Sequence, residues 1–348
     1  MPTLSVTLHD GLVNRDSLDR KTDTNLAPDQ HLRVEPGDIA YNMMRMWQGA
    51  SGQAGYPALV SPAYVVLKPT HKIDSLFASY LFKSSRVIYL LWAYSYGLTS
   101  DRLRLYYNDF ALIPYTIPNI EEQRRIAEIL GTWDRAIETT EKLIAASEAQ
   151  KKALMQQLLT GKKRLPGFKG KWREVPLGDL AECYSGGTPK RNVGAYYGGD
   201  IPWIKSGELN QRKIDLTEEN ITAEGLKQSS AKLVAPDTVL LALYGATAGV
   251  VSETKIEAAI NQAILAIIPS DDLSKLYLYF TLLHAVDEMK RLTQGGQPNL
   301  NAGIVKALRI SLPTIEEQHA ISSSIDNADR VGAKFKQKLQ TLKTEKPP

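Results

Sequence analysis

Residues 117–130 read IPNIEEQRRIAEIL and residues 312–325 read LPTIEEQHAISSSI, nearly the same phrase 195 residues apart. After each proline stands a residue able to cap a helix, Asn119 or Thr314, with Glu122 or Glu317 three positions on, the form of a capping box or its Asn variant. Glu121 and Glu122, like Glu316 and Glu317, also favour the positive end of a helix dipole. Two helices are predicted to start here, in a chain built from two like halves.

Below the first phrase Ile126, Leu130, Trp133, Ile137, Thr140, Ile144, Ser147, Lys151, Leu154 and Leu158 keep an unbroken spacing of four and three. Ile321, Ile325, Ala328, Gly332, Phe335, Leu339 and Leu342 repeat it below the second. Sustained spacing of this kind predicts a coiled-coil seam, with the second helix antiparallel to the first and small Ala328 and Gly332 accepting bulky residues such as Trp133. Two amphipathic helices, each packed on its own globule, remain the alternative. A helix over residues 119–160 would run on the order of 60 Å. Gly161 ends it, and GKKRLPGFKGKWR over 161–173, with six Lys or Arg and no acid, reads as a basic linker, solvated or touching phosphate or a partner.

Outward from the helices the repeat continues. A shift of 200 brings VEPGDIAYNM from Val34 onto VAPDTVLLAL from Val234, and ALVSPAYVVLKP from Ala58 onto AAINQAILAIIP from Ala258. Each reads as short β-rich runs around a glycine-containing loop, then a proline stop. A segment rich in Leu, Tyr and Phe follows near residues 74–94 and 273–292, and then an extended run, FALIPYTIP from Phe110 or VKALRISLP from Val305. The expected fold is α+β, two repeated mixed domains joined by two long helices in an antiparallel coiled coil. The expected boundaries are 1–118, 119–165 for the central helix and linker, 166–313, and 314–348 for the distal helix.

Composition narrows the function. The 348 residues, 43% hydrophobic and 23% charged, are ordinary for a globular protein. The longest apolar run, VIYLLWAY from Val87, is too short to cross a bilayer and no signal pattern opens the chain, so a cytoplasmic location is expected. Cys183 is the single cysteine, and the five histidines show no metal-ligand spacing. Net charge is only +4, spread as +1 over 1–118, +3 over 119–170, −1 over 171–313 and +1 over 314–348, so any nucleic-acid surface must be a local patch.

Together with both copies of the opening phrase, LMQQLLTGK (154–162), SGGTPKRNVGAYYGGDIPWIKSGEL (185–209), LSVTLHDGLVNRDSLDRK (4–21) and GDIAYNMMRMWQGASG (37–52) closely resemble the specificity subunit of type I restriction-modification systems. The resemblance covers nearly the whole chain. It implies a non-catalytic subunit whose two target-recognition domains each read half of a split site on double-stranded DNA. It also implies helices that set the half-site spacing and dock methyltransferase subunits, two of them, with restriction subunits joining. Glu121, Glu122, Gln123, Glu316, Glu317 and Gln318 would then recur as equivalent docking residues for two identical partners. One departure stands out: the counterpart of WREVPLGDLAECYSGG, from Trp172, would lie about 28 residues ahead of Met1, so the first recognition domain is expected to be N-terminally incomplete.

Methyltransferase and Walker A motifs do not occur, so no cofactor is expected and catalysis would belong to partners. The enzymatic alternative is a Mg²⁺-dependent endonuclease using Asp237, Glu253 and Lys255, from a loose Pro-Asp…Glu-x-Lys pattern; a scaffold binding only protein is a third reading. Candidate DNA contacts in the first half are Arg45, Gln48 and Ser51, in a glycine-flanked loop, and Arg102, Arg104 and Tyr106; Trp47 is expected to pack. In the second half they are Lys190, Arg191, Lys205, Tyr244, Thr247, Gln297 and Asn299. Arg and Gln make bidentate base contacts, and Ser and Tyr hold phosphate.

Overall fold

A computed structural model describes residues 1–18, 26–99, 101–291 and 299–346. The chain forms two compact units, Met1–Thr140 with Lys338–Pro348, and Glu141–Gln337.

Unit 1 opens with β1 (Thr3–Val6), β2 (Leu12–Asn14), β3 (Leu32–Val34), β4 (Ile39–Asn42), β5 (Ser51–Gln53), β6 (Ala58–Val60) and β7 (Tyr64–Leu67). These make one sheet in the order β2-β1-β6-β3 and another in the order β5-β4-β7. Then come α1 (Ser75–Leu81), α2 (Ser85–Ala93), α3 (Tyr107–Phe110) and the long α4 (Ile120–Leu158). Ile39, Tyr41, Met46, Phe82, Leu91 and Leu105 form the main core of this unit. Asp74 starts α1 as its N-cap, accepting from the Phe77 amide at 2.9 Å.

Unit 2 carries β8 (Arg173–Pro176), α5 (Leu177–Leu180), β9 (Ala181–Ser185), β10 (Tyr197–Ile204), β11 (Lys213–Ile214), β12 (Asn220–Ile221) and α6 (Ala223–Lys227). It continues with β13 (Lys232–Val234), β14 (Val239–Ala242), β15 (Val251–Thr254), β16 (Ala258–Ile260), β17 (Ile264–Pro269), α7 (Lys275–Arg291), α8 (Ala302–Ala307), β18 (Arg309–Leu312) and α9 (Ile315–Glu345). Its sheets run β12-β10-β16-β13, β11-β15-β14-β17-β9 and β18-β8. Strands β3 to β7 recur as β13 to β17 at the 200-residue shift found in the sequence, and the pairing recurs with them. Leu4 faces Val60 in parallel as Ile204 faces Ile260, and Ala40 faces Val66 as Leu240 faces Ala266. The α+β class and its internal repeat are thus present in the strand register itself.

The helix phrase recurs for a reason the sequence hid. Gln123 and Gln318 are fully buried. Gln123 accepts from the Asp74 amide at 2.8 Å and donates to the carbonyls of Lys72 (3.1 Å) and Pro118 (2.8 Å). Gln318 repeats all three bonds, with the Ser274 amide (2.8 Å) and the carbonyls of Asp272 (2.8 Å) and Pro313 (3.1 Å). Each glutamine clamps the helix start to the loop that opens α1 or α7. Neither side chain is turned outward as a docking residue would be, because its amide satisfies backbone groups buried in the turn.

Glu317 is also turned inward. Arg164 of the basic stretch grips it through two bonds, Nε to Oε1 at 2.6 Å and Nη2 to Oε2 at 2.7 Å, while Trp172 Nε1 donates to Oε2 at 3.1 Å. The Arg164 guanidinium lies 5.2 Å from the Trp172 ring centroid, so this part of the expected solvated linker is a folded strap. Glu121, Glu122 and Glu316 remain exposed.

Every seam position from Ile126 to Leu158, and from Ile321 to Leu342, is buried or half-buried. Within unit 2 Ser147 lies against Gly332 and Lys151 against Asp329, so contacts move backward along α9 as they advance along α4. Antiparallel pairing follows for these stretches. Gly332 therefore meets Ser147, a small residue, instead of Trp133.

Candidate nucleic-acid interface

The sequence RLRLY over 102–106 alternates in the structure as a strand would. Leu103 and Leu105 are buried while Arg102, Arg104 and Tyr106 face out. Two features hold this segment. Tyr96 and Arg104 exchange backbone bonds of 3.2 and 3.0 Å, and the Leu105 amide donates to the Met43 carbonyl at 2.9 Å. Gly97 is required at the turn, since a Cβ there would collide with the Arg102 carbonyl.

Facing this segment is the loop after β4, and between them opens a cleft of about 800 Å³ lined by Arg45, Arg102, Arg104, Tyr96 and Tyr106, with Asn42 and Met44 alongside. Three arginines stand against one lining acid, Asp101, among the described residues. The Tyr96 and Tyr106 rings lie 6.0 Å apart at a tilt of 39°, and the Tyr96 hydroxyl donates to Asp109 at 3.0 Å, which holds its phenol above the ordinary range. Arg104 Nη1 reaches the Tyr106 hydroxyl at 3.5 Å. Planar cations beside exposed aromatic faces can fork onto base edges or phosphate and stack on bases.

The structure thus brings Arg45, Arg102, Arg104 and Tyr106 to one place. Gln48 ends a short 3₁₀ turn, Met46–Gln48, and is half-buried beside the cleft loop. Ser51 lies elsewhere: it is buried in β5 with its hydroxyl donating to the Gly49 carbonyl at 3.3 Å, so no phosphate reaches it. Trp47, expected to pack, is half-buried, and its indole donates to the Met44 carbonyl at 3.0 Å. Asn42, Met44 and Tyr96 were not singled out from sequence; only their position beside the alternating arginines could have drawn attention to them.

In unit 2 the equivalent segment ends in Asn299, which is exposed, and Leu300, whose amide donates to the Leu243 carbonyl at 2.8 Å just as Leu105 does to Met43. Gln297 lies outside the described residues. Tyr244 is exposed and Thr247 half-buried around the 3₁₀ turn Gly245–Thr247, which matches the cleft loop of unit 1. Lys190 is exposed. Arg191 and Lys205 are committed within the fold. Arg191 meets Glu219 at 2.6 Å and lies over Tyr197 and Trp203, at 4.7 and 4.9 Å from their centroids; Lys205 meets Glu218 at 3.0 Å and Glu219 at 3.6 Å. Bonding to Arg191 holds the Glu219 carboxyl below its usual range. A phosphate would have to displace these carboxylates.

Asp237, Glu253 and Lys255 do cluster, but as an ion pair network. The Lys255 ammonium bonds Asp237 and lies 3.3 Å from Glu253 Oε2, so a cation already sits between the two carboxylates. Glu253 also lies 3.6 Å from Arg212. Among the described residues no three His, Cys, Asp or Glu side chains gather as a metal site.

A family model for the type I restriction modification DNA specificity domain matches residues 41–148 and 169–344. The chain belongs to that family, and its relatives are specificity subunits. It is 27% identical over 227 residues to the Escherichia coli EcoR124I/EcoR124II specificity subunit, covering 62% of this chain and 55% of that protein. It is 31% identical over 164 residues to the MjaIX specificity subunit of Methanocaldococcus jannaschii, covering 45% and 38%. The chain thus matches about half or less of the length of these relatives. In fold it is similar to the S subunit from M. genitalium (TM-score 0.59, 18% identity, 91% of this chain and 82% of that one) and the HsdS subunit from Thermoanaerobacter tengcongensis (0.52, 20%, 92% and 81%). No helix among the described residues is long and apolar enough to cross a membrane.

Proposed function

We propose that this chain is a non-catalytic, cytoplasmic DNA-specificity subunit that reads a split site on double-stranded DNA, with one recognition domain within residues 1–118 and the other within 166–313. The helical stretches 119–165 and 314–348 serve as spacer and as docking ground for two methyltransferase subunits, which restriction subunits join. Exposed Glu121, Glu122 and Glu316 are the docking candidates that remain.

The observation that carries the reading is the arginine cleft of unit 1 in a chain of this family. Arg45, Arg102 and Arg104 offer three forked donors, and two tyrosines flank them. Arginine bidentate to guanine discriminates by about 1–3 kcal/mol per base pair. Lys190, Tyr244, Thr247 and Asn299 are the corresponding candidates in unit 2.

The test is a map of methylated adenines in cells expressing this chain with its neighbouring methyltransferase gene, beside cells expressing the methyltransferase alone. A split motif with a fixed gap, appearing only with this chain, is expected. Arg102→Ala with Arg104→Ala should relax one half of the motif and leave the other. Methylation indifferent to this chain would overturn the reading.

A further inference from the structure

The two units share a backbone frame that carries different side chains. In unit 1 the Leu105 amide donates to the Met43 carbonyl at 2.9 Å, and the next residue, Tyr106, is the N-cap of α3. In unit 2 the Leu300 amide donates to the Leu243 carbonyl at 2.8 Å, and Asn301 is the N-cap of α8. Both caps are extended, with ψ of 160° and 163°, and both carbonyls accept the first helical bond, from the Phe110 amide at 3.0 Å and the Val305 amide at 3.2 Å. Leu105 and Leu300 are wholly buried, and the residue before each, Arg104 or Asn299, is exposed. With the same leucine sunk in the core and the same helix starting beyond it, Arg104 and Asn299 leave the frame at equivalent places. The bond to Met43 or Leu243 joins the 195-residue shift of the helix phrase to the 200-residue shift of the strands, so neither shift alone aligns this pair from sequence.

The surroundings change in step. Arg45, in the loop after β4, has Gly245 at its place in unit 2, between strands that keep the 200-residue shift. Unit 1 therefore offers three arginines to its cleft, whereas Tyr244–Thr247 of unit 2 contains no charged residue. Asn301, the other amide in this segment, is occupied as a cap, its Oδ1 accepting from the Ile304 amide at 3.0 Å. That leaves Asn299 at the surface.

Every phosphate is alike, so a phosphate contact repeated in both units would keep a cation in both. Here the charge changes, and what stays is a planar head group able to make two parallel hydrogen bonds. Arginine fits the two acceptors of guanine, O6 and N7, and asparagine fits the donor and acceptor of adenine, N6 and N7. We propose that Arg104 and Asn299 are equivalent specificity-determining residues, Arg104 reading a guanine in one half-site and Asn299 an adenine in the other, each at the major-groove edge. The assignment rests on the chain being a DNA-specificity subunit and adds which base each unit selects.

The test uses the purified complex of the full chain with its methyltransferase, on duplexes carrying the split motif that adenine mapping defines. 7-Deazaguanine or 7-deazaadenine, in which C–H replaces N7, is placed at each purine in turn. One deazaguanine in one half-site and one deazaadenine in the other should each weaken binding at least ~10-fold. The first loss should vanish in Arg104→Ala and the second in Asn299→Ala, both exposed-site variants checked by circular dichroism. In cells, Arg104→Gln, whose longer amide also pairs with adenine, should exchange that G·C pair for A·T in the methylated motif and leave the other half as it was. The modified bases alter no protein atom, so a wild-type complex indifferent to every deazapurine overturns the assignment without any variant. A motif with no G·C pair overturns it, as does a deazapurine loss that persists in full in the alanine variants. Arg104→Gln lowering methylation at all sites while the guanine is retained overturns it too, and marks a phosphate contact. In each of these results a split motif still depends on this chain, so the specificity reading stands; methylation that never depends on this chain refutes that reading and the base assignment with it.

Discussion

Asp237 has φ of 63°, the one non-glycine residue with positive φ among those described, and at the matching position of unit 1 stands Gly37 with φ of 92°. Both sit third in a tight turn, closed by Thr238 donating to the Ala235 carbonyl at 3.3 Å and by Asp38 donating to that of Glu35 at 3.0 Å. The Pro-Asp pair that reads as half of a nuclease motif is a turn signal, since Pro suits the second position and Asp tolerates the left-handed region. Asp237→Gly should keep stability within about 0.5 kcal/mol, because relief of the backbone offsets the lost partly exposed ion pair, whereas Asp237→Val should cost about 1–2 kcal/mol. Chemical denaturation measures both. Bonding to Lys255 holds the Asp237 carboxyl below its ordinary value, so the pair's contribution is present above the usual carboxylate range and lost as pH falls through the lowered one. Between pH 6 and 3, Asp237→Asn should therefore lose less stability than the wild type; equal acid limbs would refute the pairing.

At the scale of elements the two long helices are tied by a device that recurs at the 195-residue shift. In unit 2, Lys151 of α4 meets Asp329 of α9 at 2.5 Å, and its ammonium lies 5.8 Å from the ring centroid of Phe280 on α7. In unit 1, Lys346 meets Asp134 of α4 at 2.5 Å and lies 5.9 Å from the centroid of Tyr80 on α1, whose hydroxyl donates to Asp134 at 2.6 Å. The four-three spacing made the seam legible in the sequence, and the 200-residue shift made the strands legible. The ties were not, because their aromatic partners come from helices far away in sequence. The buried glutamine clamps were hidden likewise, since a Gln beside two Glu reads as surface until the loop it clamps is known. Gln318→Leu leaves the Ser274 amide without its acceptor in a dry site and should cost about 2–3 kcal/mol, with faster hydrogen exchange at the start of α7. Gly332 allows a sharper test: a Cβ there would approach Ser147 Oγ to 3.1 Å. Gly332→Ala alone should change stability little, the gain of about 1 kcal/mol in helix propensity being offset by that contact. Paired with Ser147→Ala, the gain should appear in full, and its absence would show that this part of the seam is packed differently.

For the whole molecule, the repeat bears on the proposed role as a ruler. Unit 1 holds a cleft whose residues were partly legible, because RLRLY alternates as strands do, while the residues facing it from the β4 loop had no signal beyond a nearby glycine. A reader of split sites also needs its spacing fixed, and α4, at 39 residues, extends about 60 Å. Removing residues from α4 alone would put its ties out of register with α9. Removing 137–143 from α4 together with 337–343 keeps each lysine level with its aspartate, Lys151 with Asp329 and Lys346 with Asp134. Two helical turns lost amount to about 10 Å. At 3.4 Å per base pair the gap in the methylated motif should shrink by about three base pairs, while the half-site sequences stay as they were. Adenine mapping in cells carrying the double deletion reads both quantities at once. An unchanged gap would refute the helices as spacer, and changed half-site sequences would show that the recognition domains depend on the helices for their own structure.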